Sequence, residues 1–394
     1  MKKDSKIVSA GRDKHFTQGI VNPPIYRAST VVFDSLEHMH QASLKKADGA
    51  LFYGRRGTPT QFALQQAIAE LEGGAGCALF PSGTAAIAGV LLSFLKAGDH
   101  LLMVDSVYEP TRDLCDQLLS GYGISTSYYD PMIGDELASL IQTNTKAVFF
   151  ESPGSITMEV QDIPKLCQIA HQFNCITLLD NTWASPINCR PFTMGIDISI
   201  QSITKYVAGH SDVMMGSATA NPKYWRQLQQ HSYLLGQCVS ADDSYLALRG
   251  LRTLSVRLQQ QANNALKVAN WLALRPEVDH LRHPSFSECP GHDFYERDFS
   301  GGNGLFSVVL KPAPSVAIKA LVDDMQFFKL GFSWGGFESL LLWIQGIDKI
   351  RTATHWDSSF PLLRLHIGLE DADDLIADLA LGFDRFHQAI SSAK

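Results

Sequence analysis

From about residue 58 to about residue 250, short apolar runs alternate with stretches of helical periodicity. "CALF" (77–80) reads as a strand, and "TAAIAGVLLSFLKAG" (84–98) as a buried helix closed by Gly98. "HLLMVD", a polar helix near 110–120, and the strand-like "ISTSYYD" follow. "KAVFFE", the amphipathic "IPKLCQIAHQF" and "CITLLD" repeat the unit, and "DISIQSIT" and "DVMMGSATA" come at shorter spacing. Strands that are apolar throughout and alternate with helices of this length imply an α/β fold with a mostly parallel sheet covered on both faces.

The flanks have a different texture. Residues 1–57 lack periodicity and end in the arginine-rich "LFYGRRGTPT", which suggests an arm rather than an independent domain. From 251 a long polar helix ("TLSVRLQQQANNALKVANWLAL") leads to the shorter strands "GLFSVVL" and "LLRLHIG". The closing helix carries Leu375, Ile376, Leu379, Phe383, Phe386 and Ile390 at core spacing. The expected organisation is therefore an arm (1–57), a large α/β domain (58–250) and a smaller α+β domain (251–394).

A net charge of -7 without a long basic run argues against nucleic acid or an anionic membrane as partner. No stretch approaches the roughly 20 apolar residues of a membrane span, and "MKKDSKIVSAGRDKHF" has no apolar core of a secretory signal. Seven cysteines with no C-x-x-C pattern point to reduced, mostly buried thiols in a cytoplasmic protein, without a metal site. G-x-G-x-x-G and P-loop motifs are missing, which weakens nicotinamide and nucleotide-triphosphate chemistry.

Four features carry chemistry. Lys205 leaves the strand "SIQSITK", with Ser202 and Thr204 before it on one side of that strand. Asp180 ends the apolar strand "ITLLD", where ligands of α/β sheets bind. In "FPSGTAA" a strand ends and Ser82-Gly83-Thr84 opens an apolar helix, whose free N–H groups favour a phosphate. Tyr108 stands just past "HLLMVD", where its ring can lie on a flat cofactor. Singly each has a bland reading: surface lysine, solvated aspartate, N-cap, packing tyrosine. Together they supply the amine, carboxylate, phosphate cradle and stacking ring that pyridoxal phosphate requires.

These segments, with "ESPGSITMEV", "DNTWASP", "TKYVAGHSD", "LRGLRTL", "SWGGFESL" and "RLHIGLED", resemble the pyridoxal-phosphate-dependent enzymes of cysteine and methionine metabolism. The resemblance runs nearly the whole length and implies the aspartate aminotransferase fold group (fold type I). It implies Lys205 as the Schiff-base lysine and proton carrier, Asp180 as partner of the pyridine nitrogen, and Tyr108 as stacking ring and auxiliary base. Gly83, Thr84, Ser202 and Thr204 would hold the phosphate. Tyr53 and Arg55 would reach a neighbouring subunit's phosphate, in a dimer with shared sites that pairs into a tetramer. Arg364 would grip the substrate carboxylate, with Ser333, Trp334, Tyr53 and Tyr233 lining the substrate pocket. Independently, alternation sets Leu363, Leu365 and Ile367 on one strand face and Arg364 and His366 on the other.

Within the family the bacterial β-lyase branch is the nearest match, and it implies β-elimination of L-cystathionine to homocysteine, pyruvate and ammonia. Alternatives are a γ-lyase, γ-synthase or sulfhydrylase of the same family, or a catalytically idle regulatory member. "ESPGSI" has Ser155-Ile156 where many members carry Asn-Pro, in keeping with the β-lyase branch. One decoy competes with this reading. Gly331-Phe332-Ser333-Trp334-Gly335 spells G-x-S-x-G, and "ESLLLW" after it is a helix candidate, as a hydrolase nucleophile elbow needs. No histidine–aspartate pair is selected by spacing, so the match is taken as coincidental.

Overall fold

A computed structural model of the protein describes residues 1–392. Eleven strands form two sheets: β1 (Gly76–Phe80), β2 (His100–Val104), β3 (Ser125–Tyr129), β4 (Thr145–Glu151), β5 (Ile176–Asp180), β6 (Ile198–Ser202) and β7 (Gly216–Ala220) in the larger, and β8 (Val278–Arg282), β9 (Leu305–Leu310), β10 (Leu340–Ile344) and β11 (Leu362–His366) in the smaller. The larger sheet runs β1-β7-β6-β5-β4-β2-β3. Only β7 opposes its neighbours, pairing antiparallel with β1 and β6, whereas β2 through β6 pair in parallel. All carboxyl ends but that of β7 therefore open on one edge, where ligands collect in such sheets.

The local sequence explains these elements. The interior of β4 (Ala147, Val148, Phe149, Phe150) is fully buried, as a strand between two helical layers must be. The helix Gly83–Phe94 is apolar almost all round and sinks into that core, capped by Ser82, whose Oγ accepts the Ala85 N–H at 3.1 Å. The helix Ile163–Gln172 buries Ile163, Leu166, Cys167, Ile169 and Ala170 along a single stripe.

The smaller sheet, β10-β11-β9-β8, is antiparallel throughout. One face packs Phe306, Val308, Leu341, Leu363 and Leu365 against Leu375, Leu379, Phe383 and Phe386 of the closing helix, Ala372–Ser392. The long helix Leu254–Ala273 joins the same core through Ala265, Val268, Ala269 and Leu272.

Two local expectations are corrected. The first 57 residues are not without regular structure: helices span Lys3–Ser9, Lys14–Thr17 and Leu36–Leu44. The last of these shows no inward stripe because Leu36, Met39 and Leu44 face outward. "ESLLLW" is not helical either: its leucines start β10, which pairs with β11 so that Leu342 lies opposite Arg364. Ladder pairing outweighs the helix propensity of a leucine run. Without a following helix, the G-x-S-x-G stretch has no elbow to form.

Candidate active site

Five strand ends converge on one edge of the larger sheet. β4 ends at Glu151 and β5 at Asp180, which are direct neighbours in register. β6 ends at Ser202, and a turn carries Lys205 beyond it. Past β2 the chain reaches Tyr108, and past β1 the Ser82-Gly83-Thr84 turn.

Lys205 is the centre of the cluster. Its Nζ donates to Ser333 Oγ at 2.7 Å and lies 5.1 Å from the Trp334 ring. Burial, reinforced by the Arg364 guanidinium and opposed by Asp180, lowers the Lys205 amine to about 8. Arg364 Nη2 in turn donates to the Ser333 carbonyl oxygen at 3.2 Å. Ser333 has a backbone φ of 84°, a left-handed conformation uncommon for serine. Gly335, at φ 90°, packs so tightly that a Cβ there would stand 2.9 Å from the Lys205 carbonyl carbon. Only glycine fits this turn.

Asp180 Oδ1 accepts both the N–H of Thr182, at 3.0 Å, and its hydroxyl. Thr182 Oγ1 also accepts the Ser202 N–H at 2.8 Å, which ties the ends of β5 and β6 together. Burial raises the Asp180 carboxyl, against the Thr182 hydrogen bonds and the Lys205 charge. Glu151 escaped the sequence reading, although it ends its strand as Asp180 does. Its Oε2 accepts the Tyr108 N–H at 2.8 Å, and burial together with Asp180 raises its carboxyl well above the ordinary range. The Tyr108 phenol is raised by burial and then by Glu151, with Arg364 opposing.

At the phosphate-type turn, a Cβ on Gly83 would lie 2.8 Å from Ser202 Oγ, so the helix start and the end of β6 close on each other. Of the two expected hydroxyls, Ser202's is uncommitted among the described residues. Thr204's already donates to the Met215 carbonyl at 3.1 Å and accepts the Met215 N–H at 2.9 Å.

Arg55, Arg56 and Tyr233 form a separate cluster, with Tyr53 two positions before Arg55 in the chain. Arg55 Nη1 donates to the Tyr233 carbonyl at 2.9 Å, and the Arg56 guanidinium lies 4.3 Å over the Tyr233 ring. Tyr53 and Arg55 are exposed and are not among the groups acting on Lys205. Within one protomer the structure thus brings together Lys205, Asp180, Tyr108, Ser333, Trp334 and Arg364, and leaves Tyr53, Arg55 and Tyr233 outside. A tight second site supports these parts: Asp105, just before Tyr108, accepts Arg112 at 2.6 Å and the N–H groups of Thr352, Ala353 and Thr354.

The cysteines are all free; six are buried and Cys238 is exposed. No described helix is long and apolar enough to cross a membrane.

Comparison with known proteins gives this edge a context. The chain is 50% identical over 389 residues to the cystathionine beta-lyase MetC of Escherichia coli, covering 98% of each chain. It is likewise 50% identical over 387 residues to the cystathionine beta-lyase of Salmonella typhimurium, covering 97% of this chain and 98% of the relative. A crystal structure of cystathionine gamma synthase from Xanthomonas oryzae pv. oryzae in complex with cystathionine superposes with a TM-score of 0.89 at 32% identity, covering 99% of both chains. The profile of the Cys/Met metabolism PLP-dependent enzymes matches residues 4–384, and the chain belongs to that family.

Proposed function

We propose that this protein is a carbon–sulfur β-lyase that converts L-cystathionine and water to L-homocysteine, pyruvate and ammonia. The observation that carries the reading is the junction at Ser333. There the Lys205 amine and the Arg364 guanidinium meet on one residue, 2.7 and 3.2 Å away, in a chain half identical to cystathionine beta-lyases. A proton-transferring amine beside a carboxylate-binding guanidinium is what an α-amino acid needs at its Cα.

The residues fit pyridoxal phosphate. The Gly83 approach leaves room for no side chain, the first N–H groups of the helix Gly83–Phe94 lack intrahelical partners, and Ser202 adds an uncommitted hydroxyl. Asp180 keeps Oδ2 free among the described residues for a ring N–H, while Thr182 holds Oδ1. Tyr108 offers the stacking ring. When bound, the cofactor supplies an electron-accepting ring that acidifies the Cα–H of an attached amino acid.

The chain's own groups do the rest. Arg364 clamps the substrate α-carboxylate through charge-assisted hydrogen bonds, and Ser333 Oγ orients Lys205 Nζ. An amine lowered to about 8 exists partly as the free base near neutrality, so Nζ removes the Cα proton and then returns one to the departing sulfur. Trp334 walls the side-chain pocket and keeps water from the Nζ. Tyr108, whose phenol is raised by burial and by Glu151, would serve as auxiliary base for the incoming amine only after giving up its own hydroxyl proton.

The outlying cluster supports an assembly in which Tyr53 and Arg55 of one protomer complete the site of another, with Tyr233 on the substrate side. A dimer with shared sites, paired into a tetramer in the reducing cytoplasm, completes the reading. Six buried free thiols suit that compartment.

Incubation of the holoenzyme with L-cystathionine, followed by identification of the 2-oxo acid, tests this directly. Pyruvate is expected, and Lys205→Ala should lower its rate by at least about 10³-fold with the fold retained. Release of 2-oxobutyrate instead would establish γ-elimination, the alternative chemistry within the family.

A further inference from the structure

We propose that His366 is a positioning residue that holds the Ser333–Gly336 turn in its working shape, and so fixes both the Lys205 contact and the Arg364 contact. This rests on the assignment of Lys205 and Arg364 above and goes beyond it, because His366 touches neither the amine nor the expected carboxylate.

His366 is 1% exposed, at the end of β11 on the same face as Arg364. Its Nε2 lies 3.0 Å from the Gly335 nitrogen and 3.2 Å from the Gly336 oxygen. One ring nitrogen cannot both accept from the first and donate to the second. The choice follows from the neighbours. The Gly336 oxygen already accepts the Gln261 amide at 2.6 Å, whereas the buried Gly335 N–H has no other acceptor among the described residues. Acceptance at Nε2 leaves only the buried Nδ1–H unpaired, whereas donation at Nε2 would leave both the Gly335 N–H and the Nδ1 lone pair unpaired, so Nε2 accepts and the ring proton resides on Nδ1.

Burial, opposed by the Gly336 carbonyl and reinforced by Arg364 and Lys205, lowers the imidazole to about 4 and favours its neutral form. The ring also packs 6.0 Å from that of Tyr206, the residue after Lys205. Tyr206 in turn packs on Trp334 at 5.3 Å.

The consequence is geometric. Ser333 sits at a positive φ, and Gly335 presses on the Lys205 backbone. A turn so constrained keeps its shape only if its buried N–H is satisfied. Loss of the acceptor would let Ser333 leave both Lys205 Nζ and Arg364 Nη2. A glutamine carries an acceptor oxygen about as far from its Cα as Nε2 is in histidine, whereas leucine carries none.

The test compares His366→Leu and His366→Gln as holoenzymes, relative to wild type, with L-cystathionine. The leucine variant is expected to lose at least about tenfold in kcat/KM, the size of an orphaned buried N–H, mostly through KM. Glutamine should recover activity to within about threefold of wild type. A leucine variant with kcat/KM within about twofold of wild type, or a well-folded glutamine variant as poor as leucine, would overturn the proposal. If leucine does not fold, ¹⁵N-histidine NMR of the wild-type holoenzyme decides. Protonation at Nδ1 with Nε2 hydrogen-bonded supports the role, and protonation at Nε2 refutes it. Neither the spectra nor the ratio between variants depends on which sulfur substrate the enzyme prefers. Failure of wild type to cleave cystathionine would instead count against the proposed function alone.

Discussion

In the seven-stranded sheet every polar group of the site lies at or beyond the last residue of a strand. In the four-stranded sheet, Arg364 lies inside β11, two residues before its end at His366, and is paired on both sides, by β10 and β9. The reason lies in what covers each sheet. Parallel strands such as β4 are buried on both faces (Phe149 0%, Phe150 0%), so chemistry can leave only at their ends. The antiparallel sheet packs one face on the Ala372–Ser392 helix, and its other face sets Arg364 and His366 beside a small apolar cluster of Val309, Ile347 and Leu362. Strand ends place a group on a loop and need hydrogen bonds to hold it, as Thr182 holds Asp180. A strand face places a group by the pleat alone.

Substitutions on neighbouring positions of β11 sharpen this contrast. Leu365→Ala, on the core side, should destabilise the protein by about 2–5 kcal/mol in denaturant unfolding, with little change in kcat/KM of the folded enzyme. Arg364→Lys, one residue away on the opposite face, should do the reverse. It should raise KM by about ten- to a hundredfold, equivalent to about 1.5–3 kcal/mol, while the unfolding midpoint stays near wild type. If the two effects fall on the same observable, the division of labour between the faces is wrong.

A smaller effect probes the strand-end side. Lys205 has its amine lowered to about 8 in the folded protein, against 10.5 ordinarily. Between these values the unfolded chain binds more protons than the folded one, so stability rises with pH across that window. In cofactor-free protein the gain from pH 8 to pH 9 should be about 1 kcal/mol, and it should vanish in Lys205→Met. Chemical denaturation of both proteins at the two pH values checks it. An equal gain in both would mean that the amine is solvated.

Much of this was legible before any coordinates. Strand-terminal Asp180, the turn at Gly83 and the lysine after "SIQSIT" follow from apolar runs and where they stop. The Arg364 face follows from period-two alternation. Contacts set by sheet order were not legible. Glu151 is as plainly strand-terminal as Asp180, but that the two are adjacent depends on β4 pairing with β5, which no local pattern encodes. The meeting of Ser333 with Lys205 joins a loop of one sheet to a turn of the other, and its positive φ leaves no mark at a serine. The run of leucines in "ESLLLW" hid a strand because three apolar residues in a row erase any period. Thr204 is set apart from Ser202 by the end of β6 at Ser202, and the turn aims the threonine hydroxyl at Met215, a contact no local pattern announces.

Because Arg364 and His366 ride on a single strand two positions apart, the clamp and the brace of the Ser333 turn behave as one lever. Any tilt of β11 moves both together. A lineage seeking a new substrate would therefore find few independent adjustments there. Change should concentrate instead at Phe332, whose side chain is exposed and stands off that lever, so that it can be exchanged without disturbing its pivot.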